Sequence, residues 1–485
     1  MKTTKYAMMF AFLALVWIGC AHTPVTEPVD LTPGSTMRET VNTTALDRYV
    51  AKPDPNYAFK LISTSEGKDW KGYVLEMTSQ QWRTAEEVDR PIWKHWLTIV
   101  YPKKVTSPTA FLLIGGGSND GKPPKGGDTM LRRLANKTNT VAAQIQMVPN
   151  EPLTFTDDGK RRNEDSIIAY TWDKYLKTGD EEWPLRLPMT KSVVRAMDTI
   201  QTFCATPEGG STKIDSFFVA GGSKRGWATW TTAAVDKRVI ACAPIVIDLL
   251  NVVQSFAHHW SVYGFWAPAI NDYVNMGVID WMGTKEYDSL MSIIDPYSYR
   301  DRLTMPKLIV NAGSDQFFVP TSSQFYIDDM KGPTYLCYVP NVGHGACGED
   351  GMSSLEAFYA HVITGEPLPT YAWSFPDEQT TTIETPSKPT LVQLWQVTNP
   401  KARDFRIDEI GKAWTSTDLT DQGGGNYVGH VEKPAEGWTA FMVQLTFEGP
   451  NGTTLKCSSP IRVAPDVLPF KYEFPPHPAG GFLSK

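Results

Sequence analysis

Apolar residues recur along this chain at two different spacings. DWKGYVLEMTSQQW (69–82) and PIWKHWLTIVYP (91–102) alternate apolar with polar positions, the pattern of strands that keep one face in solvent. Six later runs are continuously apolar, as strands buried on both faces are: TAFLLIGG (109–116), TVAAQIQMV (140–148), IDSFFVAGG (214–222), VIACAPIVID (239–248), KLIVNAG (307–313) and TYLCYVPNV (334–342). Helical spacing lies between them. After Thr190, read as an N-cap, Val193, Val194, Met197 and Ile200 fall on one face. Strands alternating with helices predict an α/β domain over 46–375, with a mostly parallel sheet covered on both sides.

Two stretches interrupt this rhythm. Residues 150–189 mix charge with aromatics, and residues 249–300 carry Trp260, Tyr263, Phe265, Trp266 and Trp281. Both are expected to be insertions forming a cap over the sheet's edge, with Trp260, Trp266 and His259 as candidate pocket walls. PDEQTTTIETPSKP (376–389) reads as a polar linker, and beyond it the helical spacing vanishes. PTLVQLWQVTN, YVGHVEKP, GWTAFMVQLTFEG and TTLKCSSPIRVAP alternate between Gly, Pro and Asn turns. They predict a small all-β immunoglobulin-like sandwich over 388–465, followed by a loosely ordered tail, 466–485.

The first twenty residues follow a different rule. MKTTKYAMMFAFLALVWIGC places Lys2 and Lys5 before an apolar stretch too short for a membrane span, which is the form of a secretory signal. Its Gly19-Cys20 ending resembles a bacterial lipoprotein cleavage box, although Trp17 stands where that box usually has Leu. The expectation is an exported lipoprotein of the cell envelope, lipidated at Cys20, with residues 21–45 as a proline-rich flexible tether. Ala21, in place of Asp, points to the outer membrane or a periplasm-facing position.

Composition narrows the partners. A net charge of −7 over 485 residues lacks the concentrated basic surface that nucleic-acid binding requires. Five cysteines remain after Cys20, so at least one is unpaired if all pairing is internal. Cys337 and Cys347 bracket a turn and are a candidate bridge. Neither CxxC nor a Cys/His zinc spacing occurs, so no metal and no cofactor are expected.

VAGGSKRGW (219–227) ends an apolar run in two glycines and then presents Ser223. A serine hydroxyl needs a base within reach, itself oriented by an acid. In α/β hydrolases these follow in the order Ser, acid, His, each at the carboxyl end of a strand. Asp315, in PKLIVNAGSDQFFVP, and His344, in TYLCYVPNVGHG, satisfy that order. Gly115, Gly116 and Gly117 follow an earlier strand. The N–H groups of Gly116, Gly117 and Lys224 are the candidate oxyanion hole. Against the general G-x-S-x-G elbow, Arg225 replaces the second glycine and Gly226 comes one place late.

Three other features invite a chemical reading. Asp248 is an alternative acid. GGSNDGK (116–122) imitates a phosphate-binding loop but runs into Pro123 where Ser or Thr should hold Mg²⁺. His258-His259 are adjacent and lack the HExxH spacing of a zinc helix, so they are assigned to the cap.

GGSKRGW, the stretch NEDSIIAYTWDKYLKTGDEEWPLRLPMTKSVVRAMDTIQ, and NAGSDQFF followed by PNVGHG resemble the PhoPQ-activated pathogenicity-related protein family over roughly 40–465. The resemblance implies an exported α/β-hydrolase fold, Ser223, Asp315 and His344 as the triad, and Arg225 as a family trait. The expected activity is cleavage of an acyl bond, ester or peptide, in a small-molecule, peptide or glycan substrate. A Gly-x-Ser-Lys/Arg-x-Gly turn also resembles glucuronoyl-type carbohydrate esterases, where the cation after the serine helps hold the oxyanion. The remaining alternative is a non-catalytic binding protein on a hydrolase scaffold.

Overall fold

The computed structural model describes residues 36–38, 43–345 and 347–484. The signal, Cys20 and most of the tether lie outside the described residues. The strands of the first half are β1 (Ala58–Glu66), β2 (Trp70–Gln81), β3 (Ile92–Pro102), β4 (Thr109–Ile114), β5 (Ala142–Ile145), a short ribbon of β6 (Leu153–Thr154) and β7 (Arg161–Arg162), β8 (Ser216–Gly222), β9 (Val239–Ile245), β10 (Lys307–Ala312) and β11 (Thr334–Val339). Nine of them form one sheet in the order β1-β2-β3-β5-β4-β8-β9-β10-β11. The alternating runs are β2 and β3, which with β1 form the antiparallel edge, and the continuously apolar runs are the parallel strands from β5 to β11. This is the α/β-hydrolase arrangement. β1 was not anticipated: AFKLISTSE is an edge strand whose residues are nearly all part-exposed, so burial imposes little pattern on it.

Pleating divides the parallel strands between two cores. Phe217 and Val219 of β8 enter one, while Phe218 and Ala220 enter the other. The first core is covered by α1 (Ala45–Ala51), α4 (Arg186–Ala205) and α5 (Lys224–Val235), the second by α2 (Thr129–Thr138) and α9 (Gly348–Thr364). Helix α4 begins a turn before Thr190, whose hydroxyl donates to Arg186 O at 2.8 Å from inside the helix. Pro188 falls in that first turn, where a missing N–H costs nothing.

The two insertions hold α3 (Asp165–Thr178) in the first, and α6 (Val252–Tyr263), α7 (Asn271–Asn275) and α8 (Lys285–Ile294) in the second. Helix α3 packs on α7 and α8, so the two insertions make one layer.

The C-terminal region is all-β: β12 (Ala372–Ser374), β13 (Thr380–Glu384), β14 (Leu391–Asn399), β15 (Thr415–Asp418), β16 (Asn426–His430), β17 (Trp438–Gly449), β18 (Thr453–Ser458) and β19 (Arg462–Ala464). One antiparallel sheet has the order β12-β13-β16, and the other β15-β14-β17-β18, with β19 also on β17. Strand β13 lies inside the segment expected to be a linker. Its TTTIE is threonine-rich and β-branched, which favours a strand despite its polarity.

Two further expectations are corrected. Cys337 and Cys347 are not bridged. All five described cysteines are free, and Cys337, buried at the end of β11, points its thiol at Ser354 Oγ, 3.8 Å away on α9. The tail is docked rather than loose. Its rings sit where glycines leave room: a Cβ on Gly264 would lie 2.7 Å from the Phe470 ring, one on Gly179 2.7 Å from Phe482, and one on Gly283 3.2 Å from Phe474.

Candidate active site

Ser223 sits between β8 and α5 with φ 55° and ψ −125°, a conformation that costs a non-glycine residue about 1–3 kcal/mol. Two glycines make the crossing possible. A Cβ on Gly221 would lie 2.7 Å from Arg225 O, and one on Gly226 would lie 2.9 Å from Gly221 O and 3.0 Å from Ile245 O. Gly222, by contrast, has open space around it. The close approach usually relieved two residues after the serine is thus relieved three after it, which frees position 225 for a side chain.

The hydroxyl meets its partners. His344 Nε2 is 2.8 Å from Ser223 Oγ, and His344 Nδ1 is 2.9 Å from Asp315 Oδ2 and 3.0 Å from Oδ1. A carboxylate only accepts, so Nδ1 carries the proton and Nε2 is left to accept from the serine. Asp315 is itself held by the amides of Phe317 and Phe318, at 2.7 and 3.3 Å. The imidazole lies against the Phe317 ring, with centroids 4.1 Å apart, and its backbone N–H donates to Gln316 Oε1 at 2.8 Å. The alternative acid, Asp248, faces elsewhere: it accepts from Tyr326 at 2.7 Å and Tyr338 at 2.5 Å, and burial pushes its carboxyl up to about 7.

The β region braces both loops that carry these residues. Trp414 Nε1 donates to Ser314 Oγ at 3.0 Å, and Ile407 N donates to Ser314 O at 3.0 Å. Trp414 also exchanges two bonds with Asn341, its N–H donating to Oδ1 at 2.9 Å and its carbonyl accepting from Nδ2 at 3.0 Å. Ser314 precedes Asp315, and Asn341 lies three residues before His344.

A charged cluster surrounds the start of α5. Arg225 Nε donates to Val148 O at 2.6 Å, and its Nη2 reaches Glu164 at 2.9 Å and Glu151 at 3.3 Å. Lys224 Nζ lies 2.5 Å from Glu164 and 3.2 Å from Asp165. Burial favours the neutral form of Glu164, but Lys224 and Arg225 outweigh it and hold this carboxyl well below the usual range. Glu151 goes the other way: burial and then the neighbouring Glu164 charge push it up to about 8.

Ser223 opens onto a narrow cavity of about 20 Å³, walled by Trp172, Trp227, Leu249, Phe256, Phe317 and Phe318, with Arg186, Lys224, Asp165 and Tyr273 as its polar members. The expected pocket residues are elsewhere. His259 accepts from Ala267 N at 3.0 Å and packs against Tyr263 and Trp266, while Trp260 packs on Trp266 and Tyr472. They stitch the cap to the tail, because the face of α6 that turns towards the cavity is Phe256's. His258 likewise bonds to Thr321 Oγ1 at 2.8 Å.

Gly116 and Gly117 reach this end of the sheet without lining the cavity. Gly116 lies under Arg225, and a Cβ there would fall 2.5 Å from Nη2. The N–H of Lys224 belongs to the first turn of α5, where backbone donors have no partner within the helix.

Glu151, Glu164, Arg186 and Trp414 escaped the sequence reading. For the first two there was a signal, since an arginine replacing an elbow glycine beside a nucleophile calls for buried acids to meet it. For Trp414 there was none.

The family model described as PhoPQ-activated pathogenicity-related protein matches residues 46–406. The chain is 37% identical over 456 residues to Autocrine proliferation repressor protein A of Dictyostelium discoideum, covering 88% of this chain and 92% of that protein. Among solved structures, acetyl xylan esterase 1 of a Thermoanaerobacterium species is 15% identical with a TM-score of 0.45, covering 65% of this chain and 91% of that one. An acetyl xylan esterase of a Paenibacillus species is 15% identical with a TM-score of 0.41, covering 65% and 93%.

Proposed function

The chain belongs to the PhoPQ-activated pathogenicity-related protein family, and on that premise we propose that it is a serine hydrolase cleaving an acyl bond, ester or peptide, through Ser223, His344 and Asp315. The observation that carries this reading is the unbroken relay from Ser223 Oγ to His344 Nε2 at 2.8 Å and from Nδ1 to Asp315 at 2.9 Å. Ser223 Oγ attacks the carbonyl carbon as its proton passes to Nε2. Asp315 holds the resulting imidazolium in place. The oxyanion is received by the N–H of Lys224 with those of Gly116 and Gly117. Collapse breaks the bond to the leaving group, which takes the proton from Nε2, and water then releases the acyl group by the same steps in reverse. No cofactor enters these steps.

Lys224 is drawn into this through its backbone. Its ammonium is engaged by Glu164 and Asp165, which speaks against the glucuronoyl-esterase analogy, where the side chain after the serine faces the oxyanion. We place the protein in the cell envelope, held by a lipid on Cys20.

A fluorophosphonate probe tests the reading. Labelling of the wild type that disappears in Ser223→Ala supports it. A well-folded wild type that takes no label overturns it and leaves a binding protein on a hydrolase scaffold.

A further inference from the structure

The cavity beside Ser223 holds a cation that the triad does not use. Arg186 is 2% exposed and lines the cavity wall. Its Nη1 donates to Lys224 O at 3.1 Å, and its guanidinium stacks 4.1 Å from the centre of the Trp227 ring. Its Nε has no hydrogen-bond partner, and among the described residues no carboxylate stands within ion-pair distance of it.

Asp165, in the same cavity, acts on Arg186 at longer range without a hydrogen bond. Lys224 is met by Glu164 and Asp165, with Asp272 acting on it from further off, and Arg225 by Glu164 and Glu151. Asp165 already accepts from Tyr273 Oη at 2.9 Å and lies 3.2 Å from Lys224 Nζ. A buried guanidinium with no carboxylate bonded to it and an N–H left unmade is expensive, and a protein keeps one where a further partner supplies the missing bond. The single bond to Lys224 O does not require a charge, since a neutral donor would serve. Apart from Lys224, Asp165, Tyr273 and Ser223 the walls are apolar, so an anion admitted here would meet the guanidinium with little competing water.

We propose that Arg186 is a specificity-determining residue that receives a carboxylate of the substrate, so that the favoured substrates are esters or amides with an acidic group close to the scissile bond. This rests on the Ser223 hydrolase reading. A cavity of about 20 Å³ admits only the small acidic end of such a molecule, with the rest left in solvent.

The test compares kcat/KM for matched acidic and neutral esters: monomethyl succinate against methyl pentanoate, with the acid in the acyl group, and 3-acetoxybenzoate against its methyl ester, with the acid in the leaving group. The wild type should prefer the acidic member of at least one pair by about tenfold or more, as a buried charge-assisted pair implies. Arg186→Met should lose far more on the acidic member than on its neutral partner, and Arg186→Lys should recover part of the preference. Absence of preference in the labelled wild type overturns the proposal while leaving the hydrolase reading intact, and does so even if the variants fail to fold. An equal loss on both members in Arg186→Met also overturns it. A wild type that takes no fluorophosphonate defeats the hydrolase reading itself.

Discussion

Trp414 donates its indole N–H to Ser314 Oγ at 3.0 Å, so the β region holds the residue directly before the acid of the relay. That bond ties the Asp315 loop from outside the hydrolase sheet, and the paired bonds to Asn341 tie the His344 loop through the same residue. Trp414→Phe keeps the ring and removes the donor. It should lower kcat about tenfold with little change in KM, because small misplacements of a catalytic group cost rate rather than binding. Steady-state kinetics on an activated ester checks this, and an unchanged kcat would show the brace to be irrelevant to catalysis.

Asp248 and Asp315, each just past the end of a parallel strand, are separated by their contacts. Asp315→Asn should reduce kcat by roughly 10³–10⁴, since the amide favours the wrong imidazole tautomer. Asp248→Asn, which alters only contacts to Tyr326 and Tyr338, should retain most of the wild-type rate. Reversal of that ranking would move the acid to residue 248.

Arg225 replaces an elbow glycine and is a counter-ion of Glu164, with Glu151 3.3 Å away. Arg225→Met leaves the Glu164 charge with Lys224 alone and takes a hydrogen-bond donor from Glu151, and should destabilise the fold by about 3 kcal/mol in urea unfolding. Adding Glu151→Gln should give back part of the loss. A single variant as stable as wild type would show the cluster to be energetically idle.

Buried histidines predict the acid limb of the stability curve. His258 and His259 are pushed down to about 3 by burial and then by arginine charges nearby, so the folded state holds them neutral. The unfolded chain takes up these protons below about 6.5, so their contribution is complete above that pH and is lost as pH falls towards 3. His259→Gln should flatten the slope between pH 6 and 4 by about 1.4 kcal/mol per pH unit, the equivalent of one proton. Urea midpoints measured across that range decide it, and an unchanged slope would mean that His259 is not held neutral.

Most of the sheet was legible because burial on both faces leaves an unmistakable apolar run, as in β8 and β10. The relay was legible because each member follows such a run. What stayed hidden depends on which way side chains turn or on partners far along the chain. Trp260 and Trp266 were as aromatic as Phe317 and Phe318, yet only the latter pair lines the cavity, because they follow Asp315 directly. Arg186 lay within a helix whose start was misjudged by a turn, so its place beside Ser223 was invisible. Strand β13 was masked by its threonines, and nothing local in Trp414 announced a bond to a loop one hundred residues earlier.

Phe482 fills the notch at Gly179, about three hundred positions upstream, and Phe470 and Phe474 do the same at Gly264 and Gly283. Helices α3 and α6 end at two of these glycines, and both contribute walls to the cavity beside Ser223. Contacts of such long separation form only after a large loop has closed. The final segment therefore works as a keystone. The sheet can assemble early while this roof sets last, so removing the segment that carries Phe470, Phe474 and Phe482 should loosen the roof while sparing the scaffold beneath it.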